Sequence, residues 1–213
     1  MNIPVSRAED YERFVEETAA AFPEHIEFVG NHLASAGAAE LAEAGSMHAD
    51  GFIKVPIGPE DGINDGQLRI HLWLPNRQRT GEPHSHPWHL GSYVMHGVYV
   101  EELPQIVPDP DGLFEVHTVT YGESSDDRDA VMAGERARIE DAEIAEYPAG
   151  SYHWIPSRIH HRTYDSGGMV TVAAMSPRFE NFSQFVAMGA GDFDPTISDE
   201  DIDAADQLLR DAI

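Results

Sequence analysis

The segment Gly81-Glu-Pro-His-Ser-His-Pro-Trp-His89 sets His84 and His86 two positions apart. On an extended chain such residues project to one face, so two imidazoles roughly 6–7 Å apart can converge on one cation. A third ligand has to come from elsewhere. The segment from Gly150 to Asp165 offers His153, His160 and His161. There an apolar run leads into Pro156, the chain turns, and the next extended stretch opens on the histidine pair. His160 and His161 have opposite strand parity, so only one of them faces a shared centre. His153 follows Pro148 at the interval that separates His161 from Pro156, and so stays a candidate. His89, close behind the first pair, could be a fourth ligand or a hydrogen-bonding group beside a substrate. The chain has 12 histidines and no cysteine, which excludes thiolate ligands, cysteine nucleophiles and disulfides.

These groups need a frame of short strands. Leu68 to Leu74 alternates, with Arg69, His71 and Trp73 on one face and Ile70, Leu72 and Leu74 on the other. Strands are also expected at 52–55, 92–102, 113–121, 136–147, 151–155, 160–164 and 169–175, separated by Gly, Pro and Asp clusters. Many short strands with such punctuation favour a sandwich or barrel. Residues 122–135 are polar and read as a loop. The first helix is expected to start at a capping box of Ser6 and Glu9 and to stop at Pro23. Ile26, Val29 and Leu33 suggest a second helix, Ala38 to Gly45 a third. Ser198 begins a last one, with Ile202, Ala205, Leu208 and Leu209 at helical spacing. The expected organisation is a helical cap at 1–46, a β-barrel at 47–190 and a C-terminal helix at 191–213 packed on the barrel.

The 38 acidic residues against 13 basic ones give a formal net charge of −25, and Lys54 is the only lysine. Such a surface repels a phosphate backbone, so nucleic acid is not an expected partner. No apolar run is long enough to span a membrane. Nothing at the N-terminus reads as a signal peptide, and the expected location is cytoplasmic.

The two histidine segments resemble the motifs of the cupin superfamily. The first of those motifs runs glycine, five residues, His-x-His, three or four residues, glutamate, six residues, glycine. His84, His86 and Gly97 fit it, with the leading glycine displaced to Gly81. The second runs glycine, five residues, Pro-x-Gly, two residues, histidine, three residues, asparagine. Gly150, Pro156 and His161 fit it, with Arg158 in place of the glycine and Asp165 in place of the asparagine. The resemblance covers about residues 68–176. It implies a mainly β fold, the cupin double-stranded β-helix or jelly-roll-like barrel, with helices at both ends. It also selects His161 as the third ligand.

The glutamate of the first motif has no counterpart, since its place falls on Leu90 or Gly91. A three-histidine site is similar to that of the thiol dioxygenases, cysteine dioxygenase and its relatives. That likeness implies a non-haem iron(II) dioxygenase acting on a small amino-acid-like molecule, with thiols among the candidates. Iron(II) would sit on His84, His86 and His161, leaving positions for substrate and dioxygen. Arg69 would hold a substrate carboxylate, with His89 and His153 beside the substrate. Thiol dioxygenases carry a Ser-His-Tyr relay on a late strand. Here that strand reads Thr171-Val-Ala-Ala-Met-Ser-Pro177, so the relay is missing, and Tyr99 or Tyr164 would have to replace its tyrosine. The alternatives are a cupin isomerase or lyase using manganese, nickel or zinc without redox change, or a non-catalytic small-molecule binder. A homodimer is compatible with either.

Overall fold

The computed structural model describes residues 5–57, 67–77, 80–121, 128–164, 167–188 and 194–212. Two helices, α1 (Val5–Ser35) and α2 (Ala38–Ala44), precede eleven strands. These are β1 (Ser46–Met47), β2 (Phe52–Ile57), β3 (Gln67–Trp73), β4 (Leu90–His96), β5 (Val98–Pro108), β6 (Phe114–Tyr121), β7 (Arg128–Pro148), β8 (Tyr152–Ile155), β9 (Arg162–Thr163), β10 (Met169–Met175) and β11 (Phe182–Ala187). Helix α3 (Asp199–Ala212) follows. The fold is mainly β, two antiparallel sheets with terminal helices, as expected.

The first sheet has the order β1-β2-β3-β10-β4-β8 and the second β11-β6-β7-β5-β9. From β3 to β11 the chain passes repeatedly from one sheet to the other, the winding of a jelly roll. Residues 83–86 belong to the second sheet as a bridge. The N–H groups of His84 and His161 each donate to the other's carbonyl at 2.9 Å, and Val186 N–H donates to Pro83 O at 2.8 Å. The histidine segment therefore lies between β9 and β11, the two edges of that sheet, and ties them together.

Alternation along β3 explains the layers. Ile70 and Leu72 face the helices with Ile53, Val55, Val170 and Val172, and bury Phe22, Val29, Leu33, Leu41, Leu208 and Leu209 against the sheet. Trp73 faces the other sheet, in a second cluster with Phe52, Val94, Tyr99 and Met169. Strand β10 is covered on both faces, so all seven of its residues are buried.

Several expectations need correction. Pro23 does not end the first helix, which runs through it as one element of 31 residues. An interior proline costs about 3 kcal/mol, whereas full burial of three side chains such as Phe22, Val29 and Leu33 returns roughly 1.5–3 kcal/mol each, so packing wins. Ser6 consequently lies inside α1 and not at its cap. The strand expected at 92–102 is two strands, because Gly97 turns the chain at φ 81°. Strand β7 begins at Arg128, inside the expected loop, whose residues 122–127 lie outside the described residues; β11 was not expected at all. Asp165 also lies outside them. At the C-terminus Ser198, where the last helix was expected to begin, caps α3. Ser198 N–H donates to Asp201 Oδ2 at 2.9 Å and Asp201 N–H to Ser198 Oγ at 3.3 Å. Among the described residues no helix is long and apolar enough to cross a membrane.

Candidate metal centre

The fold brings His84, His86 and His161 together, with one ring nitrogen of each within 4.8 Å of the others. Their ring centroids form a near-equilateral triangle, 4.9 Å for His84–His86, 4.6 Å for His84–His161 and 4.9 Å for His86–His161. His84 Nδ1 lies 2.9 Å from Glu82 O, and His161 Nδ1 lies 3.2 Å from Ile159 O. Carbonyl oxygens only accept, so both Nδ1 atoms carry a proton, which leaves Nε2 as the atom available to a metal. Outer hydrogen bonds of this kind commonly orient metal-binding imidazoles. His86 stacks on the indole of Trp88, 5.2 Å away at 12°. Burial first, and then the neighbouring histidines, hold His86 and His161 well below the usual imidazole range. Both are therefore neutral at pH 7, the protonation state a divalent cation requires. The donor set fits a transition metal of the iron, manganese, nickel or zinc class.

The triad opens on a cavity of about 70 Å³ between the sheets. Arg69, His71 and Trp73 all line it, so the alternation read from β3 places their shared face inward. His153 lines it too, from β8. His89 does not. It is packed among Tyr11, Phe14 and Phe179, and its Nδ1 accepts the Ser157 N–H at 2.9 Å. His160 faces the opposite way, into a separate groove of roughly 670 Å³ with Arg136, Arg158 and Gln184. Tyr99 lines the cavity, while Tyr164 is at the surface. Leu90 occupies the cavity wall where the cupin glutamate would stand. Gly91 faces outward, beneath the ring of Trp154.

Sequence reasoning missed His48, Asp50 and Lys54, which also line the cavity. Lys54 pairs in register with His71, and Pro56 with Arg69, so the two cations sit on adjacent strands. The signal available was that the chain's single lysine falls in an alternating strand. Burial, then Arg69 and Lys54, push His71 down to about 3. It serves as a neutral wall group, tilted at 37° against Phe52 with ring centroids 4.5 Å apart.

No family model matches the chain, and no curated protein matches it. Among solved structures it is similar to an HTH_3 family transcriptional regulator from Vibrio cholerae, with 12% identity over 65% of this chain and 58% of that one, TM-score 0.35. It is also similar to hydroxypropylphosphonic acid epoxidase from S. wedmorenis in complex with fosfomycin, with 10% identity over 64% and 56%, TM-score 0.34. A third is the oxalate decarboxylase of Lactobacillus farciminis in a formate complex, with 13% identity over 66% and 33%, TM-score 0.35. The chain spans less than two thirds of each of these proteins. Overlaps this partial carry no argument about what the chain binds or does.

Proposed function

We propose that this chain is a cupin-type metalloprotein holding one divalent metal, iron(II) first among the candidates, on His84, His86 and His161. The observation that carries the reading is the convergence of three imidazoles, two of them with Nδ1 tied to a carbonyl. We further propose a dioxygenase acting on a small amino-acid-like anion, thiols included. Three neutral ligands leave a metal its full positive charge and open positions, which is the chemistry that brings a chelating substrate and dioxygen into one coordination sphere.

The chain's own residues would do the rest. Arg69 can clamp a carboxylate through two parallel N–H donors, and Lys54 adds a second positive charge. Trp73, Trp88 and Tyr99 narrow the cavity to about 70 Å³, so only a small ligand fits. Ala173 and Met175 put neither an imidazole nor a phenol at the relay positions of β10, which disfavours the chemistry of cysteine dioxygenase with cysteine itself.

A second reading is supported by Glu101 and His153, a buried acid–base pair whose histidine lines the cavity. Such groups suit an isomerase or lyase in which manganese, nickel or zinc serves without redox change. Oxygen uptake separates the two. Iron(II)-loaded protein given a set of small thiol and amino acids should consume dioxygen with one of them. Turnover under strictly anaerobic conditions, with no uptake for any metal, would favour the isomerase or lyase. Ligand retention without turnover would point to a binding protein.

A further inference from the structure

We propose that Glu101 and His153 form a proton relay opening on the cavity, in which His153 gives a proton to a bound small anion and Glu101 replenishes it. The presence of the anion rests on the reading above; the pairing itself stands on geometry.

Glu101 on β5 and His153 on β8 meet across the gap between the sheets, with Oε1 and Nε2 3.9 Å apart. Both are almost fully buried, at 2% and 3% exposure. Glu101 Oε1 and both ring nitrogens of His153 lack a hydrogen-bond partner within the protein. Arg162, on the strand paired with β5, is committed to Glu102 at 2.7 Å, and burial is the cause that shifts Glu101. A buried carboxylate without a cation is expensive, and holding the proton is the cheaper state. Two tyrosines fix the imidazole plane, Tyr99 stacked at 4.4 Å and Tyr147 at 5.0 Å. A closure of about 1 Å would bring carboxyl and imidazole to hydrogen-bond distance.

The ionisable groups around the pair are Tyr99 on β5, Tyr147 on β7, Tyr11 on α1, His71 on β3 and His161, with Lys54 on β2 and Arg69 on β3 lining the same cavity as His153. None of the tyrosines is charged at neutral pH, since burial raises all three. Burial likewise raises Glu101 to about 8 and lowers His153 to about 3. At pH 7 the pair thus holds one dissociable proton on the carboxyl, with the imidazole neutral.

The step balances without a redox partner. His153 Nδ1–H breaks as a bond from that hydrogen to the anion forms. The Glu101 O–H breaks as an N–H forms at Nε2. The products are a protonated ligand, a neutral His153 in its other tautomer, and a Glu101 carboxylate that has taken over the ligand's charge.

Infrared spectroscopy of the metal-free protein at pH 7 tests this. Wild type should show the carbonyl stretch of a protonated carboxyl. The band should vanish in Glu101→Gln and shift in His153→Gln, and both variants should still bind one equivalent of iron(II). Absence of the band in wild type, or a band unmoved by His153→Gln, would overturn the relay while leaving the metal reading intact. Loss of iron binding in both variants would also overturn it, by making the pair part of the ligand set. His153→Gln supplies an independent reading if Glu101→Gln does not fold.

Discussion

His84 and His161 each commit one ring nitrogen to a backbone carbonyl, which leaves the other aimed at a shared point. Removing either ring takes away a ligand and leaves two, too few to hold the ion against water. His84→Ala and His161→Ala should each lose stoichiometric metal, measured by elemental analysis of protein loaded with iron(II). His160→Ala and His153→Ala should keep it, because His160 faces another groove and His153 stands at the Glu101 side of the cavity. Full metal in His161→Ala with loss in His153→Ala would mean that the ligand set is wrong. Metal that binds only the folded state also stabilises it, by about 2.7 kcal/mol at one hundred times the dissociation constant. Wild type should therefore melt higher with metal, and His84→Ala should not.

At the scale of elements, two contacts hold the site's frame in place. Asp201 is buried at the start of α3 and accepts from Arg77 Nε and Nη2 at 2.8 Å and from Asn76 Nδ2 at 3.0 Å. The Arg77 hydrogen bonds first, and then those of Ser198 and Asn76, hold its carboxyl well below the usual range despite its burial. Asp201→Ala should destabilise the protein by about 3 kcal/mol, since it strands the guanidinium and removes the cap together. Denaturant unfolding measures this, and a change below 1 kcal/mol would contradict it. Gly91 is the second point. A methyl group there would run into the ring of Trp154, itself wedged against Phe14 and Phe22. Gly91→Ala should therefore cost roughly 1–3 kcal/mol as overpacking. An unchanged melting temperature would show that α1 can shift to make room.

For the whole molecule, acid is the main electrostatic threat. Five histidines, His71, His86, His153, His160 and His161, all sit below the usual imidazole range, with desolvation the first cause in each. The folded state binds their neutral form, so the stability present above pH 6.5 is lost as pH falls toward the lowered values. For His71, taken from 6.5 to about 3, the loss on going to about pH 5 is about 2 kcal/mol. Glu101 works the other way. Its value rises from 4.5 to about 8, so its contribution is complete below 4.5 and fades as pH rises. One carboxyl against five imidazoles leaves the sign with the histidines. The metal-free protein should unfold at a lower urea concentration at pH 5 than at pH 7. Equal midpoints would mean that the histidines are hydrated and not buried.

Residue spacing by itself determined the parts of the site that are local in the chain. The His84–His86 pair, the opposite parity of His160 and His161, and the inward face of Arg69, His71 and Trp73 follow from the two-residue period of a strand, which needs no partner to be read. The mainly β layout was legible for the same reason. What lay beyond local rules was decided by packing. The continuity of α1 through Pro23 depends on apolar burial against a sheet that is distant in sequence. The removal of His89 from the cavity depends on Tyr11 and Phe14, which belong to that same helix. His153 and His161 stand at the same interval from a proline; the motif's glycine spacing favoured His161, and the fold brings His161 to the other two histidines. Only the tertiary structure could place Glu101 opposite His153, because 52 positions of chain separate them and the gap between the sheets brings them together.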